Sequence, residues 1–176
     1  LWFTDNGRDL LGDNIPSDEV NKVREIGEHF GFPFCHGEDV IDPKFGEDDS
    51  CQKFTKPEVE LGPHVAALGM KFYTGTQFPR EYKEKILVAE HGSWNRSKKI
   101  GYRITSVDLV NDSASNYAIF AEGWLQGDQA LGRPVDILQY TDGSILISDD
   151  MKGSVYRVKY RAVSYTHLRA HETPLH

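Results

Sequence analysis

The feature that most restricts this chain is an internal repeat. The run GPHVAALGMKFYTG (62–75) is followed by ILVAEHG (86–92) and YRI (102–104), and the run GRPVDILQYTDG (132–143) by ILISDD (145–150) and YRV (156–158). LWFTDNG (1–7) reads as the second strand of an earlier copy. Short apolar or alternating runs bounded by Gly, Asp, Asn and Pro predict strands over 1–4, 68–73, 85–90, 102–109, 135–140, 144–149 and 154–160. Tight turns are expected at 73–76, 141–144 and 151–154, with Gly75, Gly143 and Gly153 at positive φ. Helix is expected only as a turn or two at Ser17–Arg24, with Ser17 as the cap, and at Pro79–Glu84. A small antiparallel meander cannot bury both faces alone, so the copies must stack. The class is all-β, the closed solution is a β-propeller, and at roughly 40–50 residues a blade the chain holds about three blades of four-stranded antiparallel sheet.

Composition removes several functions. With 20 Lys and Arg against 27 Asp and Glu, a formal charge of −7 argues against sequence-independent nucleic-acid binding, which rests on clustered cations. No apolar run approaches the ~18 residues of a transmembrane segment. The chain opens in a strand-like run with no initiating Met and reads as cut from something longer. Residues 162–176 (AVSYTHLRAHETPLH) lack the pattern of the rest and resemble a translated adapter sequence, so the fold is expected over 1–161. Cys35 and Cys51 flank a polar loop and fit either one disulfide of an exported protein or two reduced thiols.

Three loops concentrate polar and aromatic groups: 5–21, 90–99 and 123–136. Loops on one face of such a fold converge, and function is expected there. The strings LWFTDNGRD, SDEVN, LGPHVA, LGMKFYTGTQFP, AEHGSWNRSKKIGYR, EGWLQG, GRPVD, DGSILISDD and GSVYRV, in that order, together resemble the glucose/sorbosone dehydrogenase family, with L-sorbosone dehydrogenase-type members most similar. The resemblance implies the C-terminal part of a six-bladed propeller that oxidises an aldose sugar or sorbosone-type aldehyde by hydride transfer to pyrroloquinoline quinone (PQQ), assisted by calcium. It further implies a periplasmic or secreted location and a cytochrome or quinone as electron acceptor.

On the same resemblance, Arg133 of GRPVD matches an arginine beside the cofactor, whose three carboxylates and ortho-quinone call for cations, donors and a flat ring. Trp94, Asn95 and Arg96 fall in the loop that supplies cofactor contacts. His64 and His91 fit either a cofactor contact or a hydrogen-bonded turn histidine. Gly7 and Arg8 correspond to the turn whose backbone carbonyls hold the quinone-side calcium, although relatives often carry Pro at the second position. Glu19 matches an acidic residue at a separate structural calcium. Asp18, Glu19 and the Glu47-Asp48-Asp49 run also read as a solvated acidic loop. The family's general-base histidine is expected upstream of Leu1, which would leave this stretch inactive alone. Two other classes fit the same fold: a non-catalytic propeller binding module, and a calcium-dependent lactonase-type hydrolase.

Overall fold

A computed structural model of the chain describes residues 1–162; the adapter-like stretch lies outside them except for Ala162. The elements are almost all strands: β1 (Trp2–Asp5), β2 (Ser17–Lys22), β3 (Cys35–His36), β4 (Val40–Ile41), β5 (Val59–Pro63), β6 (Ala67–Phe72), β7 (Ile86–Glu90), β8 (Arg103–Val110), β9 (Ser113–Ala121), β10 (Leu125–Gln126), β11 (Gln129–Ala130), β12 (Pro134–Gln139), β13 (Ile145–Asp149) and β14 (Ser154–Val158). Single 3-10 turns occur at Ser50–Lys53 and Arg80–Tyr82. The main antiparallel sheets are β1-β2-β5, β6-β7-β8-β9 and β12-β13-β14, with two-stranded ribbons β3-β4 and β10-β11. Among the described residues only the middle sheet has four strands, and no sheet closes on itself.

The middle sheet is buried on both faces. All five residues of β7 are buried. Strand alternation sends Leu87 and Ala89 into a core with Tyr73, Tyr102, Ile104, Trp124, Ile137, Ile145 and Ile147. Ile86 and Val88 face the opposite core, with Val20, Leu61, Val65, Ala67 and Val107. Neighbouring sheets also meet at the backbone. Thr4 Oγ1 donates to the Leu68 carbonyl at 2.8 Å. At Gly69 a Cβ would lie 2.2 Å from Asp136 Oδ1, so only glycine lets β6 and β12 approach this closely.

Three expectations need correction. Ser17–Lys22 is not a capped helical turn but β2, the central strand of its sheet, paired on both sides, with Asp5, Glu19 and Glu60 side by side across β1, β2 and β5. Its polar sequence hid a strand whose burial is set by its neighbours. Gly75 does not adopt positive φ, whereas Gly143 (φ 81°) and Gly153 (φ 59°) do. Gly75 is required instead by the Tyr73 ring, whose hydroxyl a Cβ would meet at 2.7 Å. Strand β9 was missed; its two-residue turn, Asn111-Asp112, holds both residues at positive φ (52° and 65°) and was the available signal.

Cys35 and Cys51 are joined. The disulfide ties β3, and through it the β3-β4 ribbon, across the long excursion between β2 and β5. Asp42, just past β4, receives His36 Nε2 at 3.0 Å and Arg8 Nη1 at 2.6 Å. Cys51→Ser is expected to lower stability by about 3 kcal/mol, the chain-entropy value for a loop of this length, measured by urea denaturation with and without reductant. The reduced wild type should fall to the same midpoint.

Candidate functional site

The loop after β7 is shaped by Gly92. Its φ of 107° is open to glycine alone, and a Cβ there would overlap the Tyr102 ring at 2.3 Å. Tyr102 packs onto that glycine and donates its hydroxyl to the Ser93 carbonyl at 2.7 Å. Ser93 Oγ in turn accepts the Ile100 N–H at 3.0 Å. These bonds close the loop and present Trp94, 67% exposed, at its tip. Asn95 Nδ2 ties the loop to Asp9 at 3.0 Å, and Arg96 Nη1 reaches the Pro63 carbonyl at 3.3 Å.

Opposite Tyr102 lies Arg133, just before β12. A cavity of about 550 Å³ opens between them, lined by Ser93, Trp94, Lys99, Tyr102, Arg133 and Asp150 among others. Asp149 fixes the start of the arginine: its carboxylate accepts the Arg133 N–H (3.0 Å), the Lys152 N–H (3.0 Å) and the Tyr156 hydroxyl (2.9 Å). Burial pushes Asp149 up, but these three donors outweigh it and hold the carboxyl below its ordinary range. Gly132 makes room, since a Cβ there would sit 2.1 Å from Asp149 Oδ2. The Arg133 guanidinium donates from Nη2 to His91 Nδ1 at 2.8 Å, and His91 Nε2 lies 3.0 Å from both Asp150 oxygens. Arg133 Nε is buried and has no hydrogen-bond partner. A buried donor left unpaired costs about 1–3 kcal/mol.

A second, smaller cavity of about 100 Å³ lies on the other side of Trp94, lined by Asn6, Gly7, Asp9, Asp18, His64, Ala66, Trp94 and Asn95. Its chemistry is the reverse. His64 Nε2 sits 2.8 and 2.9 Å from the Gly12 and Ile15 carbonyls, which only accept, so that nitrogen carries the hydrogen. His64 Nδ1 and the acceptor Asn95 Oδ1 are buried without hydrogen-bond partners. Asp18 accepts the Gly7 and Ala66 N–H groups at 2.9 and 2.6 Å. Trp94 thus lines two cavities, one carrying the cations Arg133 and Lys99 beside Asp150, the other the carboxyls of Asp9 and Asp18 with Asn95.

The nine residues singled out in the sequence fall into three groups. Arg133 and Trp94 line the larger cavity, with His91 behind Arg133. Gly7, His64, Asn95 and again Trp94 line the smaller one. Arg96 braces the loop from outside these walls, the Arg8 side chain turns to the disulfide ribbon, and Glu19 sits apart, accepting from Asn21 Nδ2 (2.8 Å) and the Gly37 N–H. Lys99, Tyr102 and Asp150 were missed. Asp150 shows only in the fold, directly after Asp149, which pairs with Pro134 in the β12-β13 register next to Arg133.

Buried carboxyls set a pH dependence. Burial pushes Asp18 up to about 6 and Glu19 up to about 7, against the hydrogen bonds each accepts. Both hold a proton more tightly folded than unfolded, so stability is highest below the ordinary carboxylate range and falls as pH rises through 6 and 7. Asp42 and Asp142 are shifted downward, burial of Asp42 being outweighed by His36 and Arg8 and Asp142 being held by Ser144; their contribution is lost on acidification below about 4. In chelator, stability should therefore rise from pH 8 to 5, by about 1–3 kcal/mol per group, and decline below 4. Glu19→Gln should flatten the upper limb; an unchanged slope would rule Glu19 out.

Among the described residues no cluster of three or more His, Cys, Asp or Glu side chains is placed to hold a metal. No helix there is long and apolar enough to cross a membrane.

Comparison with known proteins gives one family and several relatives. The TrAA12-like family description matches residues 40–161. An uncharacterised protein of Borreliella burgdorferi is 48% identical over 169 residues, covering 93% of this chain and 44% of that protein. A pyrroloquinoline quinone-dependent pyranose dehydrogenase of Coprinopsis cinerea is 28% identical over 124 residues, 59% of this chain and 16% of that enzyme. The solved calcium structure of the Trichoderma reesei carbohydrate-active enzyme of family AA12 superposes with a TM-score of 0.65 at 20% identity, over 88% of this chain and 47% of that one. The chain thus spans less than half the length of each relative.

Proposed function

Because the chain belongs to the TrAA12-like family, we propose that it is part of a PQQ-dependent sugar oxidoreductase, contributing the arginine wall of the cofactor pocket in a propeller. The observation that carries this reading is Arg133, whose side chain lines a cavity of about 550 Å³ without an ion-pair partner among the described residues. A ligand with several carboxylates and a flat conjugated ring suits that cavity: the guanidinium and Lys99 offer charge and donors, and the exposed Trp94 offers a flat face. The acceptor-lined cavity beside Gly7 suits a hard cation such as calcium, which takes oxygen ligands.

When bound, PQQ supplies an acceptor for hydride and calcium a Lewis acid beside it. The chain's own residues bind and orient. Arg133 neutralises a carboxylate or quinone oxygen, Asp149 and Gly132 fix where that arginine starts, and Tyr102 with Gly92 fixes the Trp94 loop. Asn95 and Arg96 hold the same loop against Asp9 and Pro63, and His64 braces the 12–15 segment beneath Gly7. Glu19 is assigned to a structural calcium, and Gly7 and Arg8 to the quinone-side one through their carbonyls. The substrate is an aldose or related aldehyde and the acceptor a cytochrome or quinone, in a secreted or periplasmic protein. The proton-removing base belongs to a part of the family fold without a counterpart in residues 1–161, so this chain alone should not turn over sugar.

The test is a PQQ titration with and without calcium, followed by quinone absorbance. Wild type should bind in a calcium-dependent way, and Arg133→Ala should weaken affinity more than tenfold, about 1.4 kcal/mol. A folded chain that binds no PQQ in calcium, or an Arg133→Ala variant that binds as well as wild type, overturns the reading.

A further inference from the structure

Arg133 is a cation in a structure rich in carboxylates, yet among the described residues it makes no ion pair. The nearest candidate, Asp150, lines the same cavity, and what separates the two is the ring of His91. An arginine guanidinium has only donors, so the 2.8 Å contact from Nη2 requires a bare lone pair on His91 Nδ1. The ring hydrogen is then on Nε2, where both oxygens of Asp150 lie at 3.0 Å to receive it. Each partner selects the same tautomer from its own side, which a lone histidine in a turn would not experience.

The consequence is electrostatic. A carboxylate in direct contact would neutralise the guanidinium and compete with any anion arriving from the cavity. One imidazole away, it orients the ring that holds Arg133 and leaves the cation uncompensated. The guanidinium is fastened at Nη2 through His91 while Nε keeps no partner, and Asp149 holds the residue's backbone N–H. His91 itself is not on the cavity wall.

We propose that His91, set by Asp150, is a positioning residue that locks the Arg133 guanidinium and keeps it free of an ion pair, so that the cavity selects a polycarboxylate ligand. The proposal rests on the reading of Arg133 as a ligand contact. Its test therefore separates the two. The probes are PQQ and its trimethyl ester, which keeps the ring and quinone and lacks the carboxylate charges. The variants are His91→Phe, Arg133→Ala, their double, and His91→Asn, whose amide oxygen stands where Nδ1 does.

His91→Phe is expected to weaken PQQ by about fivefold or more in the wild-type background and by less than about twofold in Arg133→Ala, with ester affinity unchanged and His91→Asn restoring most of the loss. A purely structural role would weaken both probes, and would do so equally in both backgrounds; that result overturns the proposal. So does wild-type affinity in His91→Phe while Arg133→Ala is impaired, which leaves the arginine reading standing. If Arg133→Ala binds PQQ normally, both fall. Histidine nitrogen-15 shifts of the unaltered chain give a check that needs no variant to fold: Nδ1 should be unprotonated, and a proton on Nδ1 overturns the proposal.

Discussion

Glu90→Ala is expected to lower stability by about 3–5 kcal/mol, among the largest losses from any single substitution in this chain. Glu90 is completely buried at the end of β7. Its carboxylate is matched across the strand pair by Arg103, whose Nε donates to Oε2 at 2.7 Å, and from β9 by the Tyr117 hydroxyl, which donates to Oε1. Arg103 Nη2 also reaches the Tyr117 oxygen at 3.1 Å, so three side chains on three adjacent strands satisfy one another. Burial and the neighbouring Glu90 push the Tyr117 phenol above its ordinary range, so it stays a donor at any working pH. Removing Glu90 strands a largely buried guanidinium and a phenol that have no water to turn to. Glu90→Gln, which keeps the shape and an acceptor, should cost visibly less. Chemical denaturation of both variants checks this; equal losses would mean that packing, and not the charge, dominates.

Gly92→Ala should cost about 3–5 kcal/mol as well, for a different reason. The new methyl would meet three Tyr102 ring carbons at 2.3–2.4 Å, and alanine has no comfortable conformation at φ 107°. Tyr102 cannot simply step aside, since it is buried in the core and bonded to Ser93. The loss should therefore spread to the loop that carries Trp94, and ligand affinity should fall along with Tm. Paired with Tyr102→Ala, which relieves the overlap, the substitution should cost only the remaining backbone strain, about 1–3 kcal/mol beyond Tyr102→Ala alone. Additive losses would locate the strain in the backbone rather than in the overlap.

How much was legible depended on whether a residue's surroundings were local. Strands such as ILVAE and ILISD announce themselves because apolar β-branched runs between turn residues have few other uses. SDEVNK (17–22) did not, because nothing in a run with five polar residues says that it will be walled in by β1 and β5. Arg133 and Trp94 were found through the family resemblance; composition alone would not have separated them from other arginines and tryptophans. The His91–Asp150 contact joins residues 59 apart, one just past β7 and the other just past β13, and nothing local in the sequence brings those two strand ends together. Cysteine spacing is indifferent to redox state, so the Cys35–Cys51 pairing is visible only in the fold.

Trp94 is a wall common to two cavities of opposite character. Occupants of the two chambers are in that case thermodynamically linked through one ring. Whatever shift of the indole improves the fit for an anion on the Arg133 side alters the space left for a cation beside Gly7, and the change in affinity must be the same factor in both directions.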